Sequence, residues 1–164
     1  MVDLLATALQ PWADLFAEST WLSTALIALH VVAMFLAGGV AVGADRLLLI
    51  TRSGEQTSSA LLPMLSATHG WVIAALAVTN LSGIALATAD IATYAVSWVF
   101  WAKMGTLLLL LANGVRMRRL EAAAERDGEA DGVLSPMPAL RRSAQLSFAG
   151  WVVIVVLGVV ISNG

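Results

Sequence analysis

Residues 24–43 read TALIALHVVAMFLAGGVAVG, a run without a charged side chain that contains one histidine, His30. A membrane-crossing helix needs ~20 mostly apolar residues, and this run supplies them. Three further stretches have the same character, and together they predict transmembrane helices over 21–50, 66–90, 94–118 and 144–162. Lipid offers no partner to backbone N–H and C=O groups, so a span is a helix or a closed barrel. The alternation of a barrel strand is absent. The predicted fold class is therefore an all-α integral membrane protein, a four-transmembrane-helix bundle.

Composition agrees. Of 164 residues, 59% are hydrophobic and 12% charged, and mean hydropathy is +0.85. Soluble domains run at roughly 45–50% apolar and about 25% charged. The absence of cysteine removes disulfides, thiolate metal sites, iron–sulfur clusters and covalent c-type haem. A net charge of −2 argues against a nucleic-acid partner. The first 20 residues carry no Lys or Arg, so the basic region of a signal peptide is missing and the segment is expected to be retained. Leu5, Leu9, Trp12, Leu15 and Phe16 share one helical face there, which predicts a short interfacial helix within 1–20, interrupted near Pro11. Ser19 or Thr20 is positioned to cap the first span.

Basic residues set the direction. Arg46 and Arg52 lie at or beyond the end of the first predicted helix, and Arg116, Arg118, Arg119, Arg126, Arg141 and Arg142 at or beyond the end of the third. The remaining connection and both termini carry none, which places both termini in the periplasm of a bacterial inner membrane. Residues 119–143 are then a cytoplasmic linker, helical at first.

The ninth basic residue, Lys103, falls inside a span. An ionisable group in a membrane costs at least ~2–3 kcal/mol and is a functional candidate by default. His30, Asn80 and Lys103, one per span, are expected at similar depth, with Thr79, Ser82 and Thr106 near them. The plain reading is that the three hydrogen-bond between helices and fix packing. Lys103 can also snorkel toward Asp90 or Tyr94. The sharper reading is a neutral imidazole in an apolar bundle, the usual axial ligand of b-type haem or another tetrapyrrole. His69 is ten residues from mid-span, ~15 Å at 1.5 Å per residue. Sharing one iron with His30 would need the second helix to begin near Gln56 and slide inward. A five-coordinate haem on His30, or a pairing with Met34 or Met104, stays open, as does copper(I) on the same thioethers.

His69 and Trp71 look like an interfacial pair. Asp45 and Arg46 are placed at the interface as an ion pair or a headgroup site. Gly39-x-x-x-Gly43 is a close-packing motif. Trp21, Trp71, Trp98, Trp101 and Trp151 form an expected girdle. No catalytic residues and no metal cluster are assigned.

The segments ALHVVAMFLAGGVAVGADRLLLI, VTNLSGIALATADIATY, FWAKMGTLLLLLANG and WVVIVVLGVVIS resemble small bacterial four-helix membrane proteins related to the copper-resistance D family. The matching positions are His30, Gly43, Asp45, Arg46 and Leu47; Ser82 and Gly83; and Phe100, Lys103 and Met104. The resemblance covers about 21–164 and implies a four-helix bundle linked to copper handling or a b-type redox module. It departs at the last span, where the family's Gly-Arg is Gly158-Val159, so a role needing that arginine is not carried over. The functional expectation is a non-enzymatic membrane subunit or module of a larger complex, using His30. Its partners are lipid and either other membrane subunits or a second copy. The alternatives are a purely structural subunit and a small-solute or metal permease.

Overall fold

The computed structural model describes residues 2–50, 58–131 and 137–163, with side chains for 2–50, 67–68, 70–123 and 138–162. The described residues form six helices and no strand: α1 (Val2–Glu18), α2 (Thr20–Ile50), α3 (Ser58–Ala89), α4 (Ile91–Val96), α5 (Trp98–Asp131) and α6 (Met137–Asn163). Four of them are long and apolar enough to cross a membrane, over Thr20–Ile50, Gly70–Ala89, Trp98–Ala123 and Pro138–Ser162. Four crossings return the chain to its starting side, so α1 and the end of α6 lie at one end. Arg46, Arg118, Arg119, Arg141 and Arg142 lie at the other, called here the basic end.

Short polar residues make the breaks between elements. Ser19 accepts from Leu22 N at 3.3 Å, so Ser19 rather than Thr20 caps α2. Asp90 accepts from Thr93 N at 3.3 Å and starts α4. Ser97 accepts from Phe100 N at 3.3 Å and starts α5. Each oxygen satisfies a donor that the first helical turn leaves orphaned.

Several boundaries differ from the sequence expectation: α3 starts at Ser58, eight residues early, and the short α4 precedes α5. α1 runs straight through Pro11; the missing N–H costs one backbone bond and does not end the helix. α5 continues to Asp131, well into the expected linker. α6 starts at Met137, seven residues earlier than expected, with Pro138 in its first turn, where its fixed φ fits and no N–H is needed.

Packing is uneven. α2 pairs along its length with α3, α5 with α6, and α2 with α6, whereas α3 and α5 touch at only a few positions. The order around the bundle is thus α3, α2, α6, α5, with its weakest seam between α3 and α5. Small residues allow the close approaches. An added Cβ at Gly38 would meet the Trp151 indole at 3.0 Å, at Gly83 the His30 ring at 3.0 Å, and at Gly150 the Leu110 side chain at 2.7 Å. Gly39 and Gly43, the expected motif, have nothing within 4 Å among the described residues. The packed face lies one residue, about 100°, away from the one the motif marks. Trp151 is correspondingly buried at 6% exposure, inside the bundle and not in the girdle, while Trp21, Trp71, Trp98 and Trp101 stay exposed.

The tightest core is at the basic end, where Leu48, Met117, Leu140 and Ala144 cluster. Arg141 donates to Leu49 O at 2.6 Å, and Asn113 Nδ2 to Ser143 O at 2.8 Å. Elsewhere large apolar side chains such as Phe35, Leu81 and Leu109 face outward. In a bilayer they meet lipid, which is as apolar as they are. At the opposite end α1 lies against α2, α3 and α4. Trp12 Nε1 donates to Ala85 O at 3.0 Å, and its ring packs on Phe16 with centroids 6.1 Å apart.

Candidate functional site

His30 stands on α2 about ten residues, ~15 Å, below the end at which the helix enters, and it leans on α3. Two features of α3 receive it. Gly83 presents bare backbone to the edge of the ring. Thr79 and Ser82 present oxygens, so Nδ1 sits 3.0 Å from Thr79 O and 3.1 Å from Ser82 Oγ. Ser82 Oγ is itself tied back to α3, donating toward Val78 O at 2.7 Å and lying 3.1 Å from Thr79 O. Hydroxyls that bond back to the preceding turn are a common perturbation of apolar helices.

The chemistry of the ring follows from these partners. A carbonyl oxygen only accepts, so the Nδ1 contact with Thr79 requires the hydrogen on Nδ1. In the neutral ring Nε2 then carries a lone pair, and it has no hydrogen-bond partner among the described residues. An N–H held by a backbone carbonyl with the opposite nitrogen left as a donor is the arrangement that orients metal-ligating histidines.

The other expected members of the cluster go elsewhere. Asn80 Nδ2 donates to Leu76 O of its own helix at 2.8 Å. Thr106 likewise bonds back to Ala102 O at 2.9 Å. Lys103 is half-buried within its span. Its Nζ lies 3.7 Å from where a Cβ on Gly158 would stand, so the chain lies against α6. Asp90 is occupied as the cap of α4.

Met34 is one turn along α2 from His30, on the same face of that helix. Met104 is on α5, diagonally across the bundle order. His69 is on α3, ten residues from Thr79, hence ~15 Å nearer the basic end; its side chain lies outside the described residues. Although α3 does begin early, at Ser58, its register against His30 is fixed by Thr79, Ser82 and Gly83, and the two histidines stay at different depths. Among the described residues no three of His, Asp and Glu come together as a metal cluster.

Asp45 is the largest departure from the sequence reading. It is not an exposed partner of Arg46: it is 2% exposed, turned into the bundle against Ser147 of α6, while Arg46 points out. Adjacent helical residues do not share a face. The signal for this was in the sequence, because Ala33, Ala37, Ala41 and Ala44 form a small-residue stripe that continues into Asp45 and Leu48. Glu121, also missed, is 5% exposed near the end of the α5 span.

No protein-family model, no curated protein and no solved structure matches this chain.

Proposed function

We propose that this chain is a non-enzymatic integral membrane module of a bacterial inner-membrane complex, and that His30 is its donor to a b-type haem. The observation that carries the reading is the Nδ1 contact with Thr79 O at 3.0 Å, which suits the Nδ1–H tautomer, the one that leaves Nε2 as a lone-pair donor within the membrane span. The resemblance to the copper-resistance D relatives supports a redox or metal-linked role at the same histidine. The arginine asymmetry supports periplasmic termini.

His30 is the residue of this chain placed to hold the group: Met34 shares its face and His69 lies ~15 Å away in depth, so any further ligand would come from Met104 or from another chain. Bound haem supplies one-electron chemistry; His30 supplies orientation, and Thr79 and Ser82 hold it. For copper(I), His30 and Met34 at i, i+4 are the available soft pair.

A second reading has its own support. The same hydrogen bonds, with Gly83 seated on the ring, tie α2 to α3, which is sufficient for a purely structural subunit. One experiment separates the two. The protein is expressed with haem supplied, purified in mild detergent, and its visible spectrum taken oxidised and dithionite-reduced. The haem reading expects a Soret band and sharp reduced bands that vanish in His30→Ala and return with added imidazole. A colourless wild type refutes it and leaves His30 as a helix–helix tie.

A further inference from the structure

A second place in the bundle is built to receive something, and it does not depend on His30. Below the weak seam between α3 and α5 lies a cavity of about 180 Å³ that reaches α2 and α6. It is larger than the ~150 Å³ apolar cavity that holds a benzene ring. Its walls toward mid-membrane are apolar: Val72, Ile73 and Leu76 from α3, Leu107, Leu110 and Leu111 from α5. From Leu107 to Glu121 it follows α5 for fourteen residues, ~21 Å, so it is a long groove and not a round chamber.

Its far end is acidic. Asp45 and Glu121 both line it, 2% and 5% exposed. The Asp45 carboxyl has Ser147 as its hydrogen-bonding neighbour, and its Oδ2 is buried with no hydrogen-bond partner among the described residues. Burying a carboxylate oxygen without a partner is unfavourable, and a cation offsets that best. Arg118 lines the rim but is exposed and does not bond this oxygen. Exposed Trp71, beside Val72, marks the membrane interface at this level. The groove thus repeats the polarity of one leaflet, with charge toward the headgroups and hydrocarbon toward the midplane.

We infer that the groove between α3 and α5 binds a cationic amphiphile, a single-chain ammonium or amine whose head meets Asp45 and whose chain lies along the leucines. Entry is lateral, from lipid, through the seam where α3 and α5 barely touch. A neutral lipid leaves Oδ2 unpaired, and an anionic one brings like charge to the Asp45 carboxyl group.

The test is equilibrium dialysis of labelled octyltrimethylammonium against the full chain in maltoside micelles, with empty micelles subtracted. The expected result is one saturable site per chain, weakened at least tenfold by Asp45→Asn and abolished by Val72→Phe, which fills the groove without touching charge. Octanol and octyl sulfate at equal concentration do not compete. Unchanged affinity in a helical, monodisperse Asp45→Asn protein overturns the proposal. So does non-saturable uptake, which would mean a carboxyl that carries its own proton, and so does displacement by octyl sulfate, which would assign recognition to Arg118. Should Asp45→Asn fail to fold, Val72→Phe decides alone, and retained binding there is equally fatal.

Discussion

The contact between Gly83 and His30 turns a common stabilising substitution into a destabilising one. Gly→Ala in a helix ordinarily gains ~0.8–1.0 kcal/mol. At position 83 the new methyl would stand 3.0 Å from His30 Cε1 and 3.4 Å from Nδ1, whereas carbon atoms rest at about 3.5–4.0 Å. The ring cannot give way freely, because retreat lengthens the Nδ1 contacts to Thr79 O and Ser82 Oγ. Overpacking of this kind costs about 1–3 kcal/mol, and loss of an interhelical polar contact adds ~0.6 kcal/mol. Overpacking outweighs propensity, so Gly83→Ala is expected to destabilise by about 1–2 kcal/mol. With His30→Ala already in place the clash is gone and the same substitution becomes neutral or stabilising. The assay is a double-mutant cycle, with unfolding in mixed micelles followed by circular dichroism. The expected coupling is about 1–3 kcal/mol, against the ~0.5 kcal/mol within which independent sites add. Additive effects would falsify the docking of His30 on Gly83, and with it the tautomer argument.

Other perturbations follow from the same packing. Gly38→Ala pushes a methyl against Trp151 at 3.0 Å and should lower the unfolding midpoint by the equivalent of about 1–3 kcal/mol. Gly39→Ala, with nothing within 4 Å, should leave it unchanged or raise it, so equal loss in both would show that the motif face packs after all. Trp12→Phe keeps the ring but deletes the 3.0 Å bond to Ala85 O. It should loosen α1 by about 0.5–1.5 kcal/mol, seen as faster amide exchange in residues 2–18 with α2 to α6 unaffected. Asn113→Ala removes the 2.8 Å tie to Ser143 O between α5 and α6 and should cost about 0.6 kcal/mol, at most ~1.7, in the same micelle assay.

The amino-acid sequence by itself determined the class of structure. Apolar runs of membrane length without the alternation of a barrel strand admit only helices in lipid, so the four spans follow from solvent physics alone. The arginines mark one end of the bundle for the same reason, since a guanidinium does not stay in hydrocarbon. His30 was legible as a special residue because any ionisable group in such a run is. Its partners were less so: Thr79 and Ser82 were visible only as polar neighbours, and Asn80 looked equally suitable. What separates them is helix phase, and in a membrane the sequence shows phase poorly. Every face of a span is apolar, so no amphipathic stripe says which side turns inward. Only the tertiary structure put Gly38, Gly83 and Gly150 at the contacts in place of Gly39 and Gly43. It likewise buried Trp151 and turned Asp45 into the bundle. Those choices are made by steric fit between neighbouring helices, where a rotation of about 100° exchanges a lipid-facing residue for a packed one at almost no cost in hydrophobic transfer.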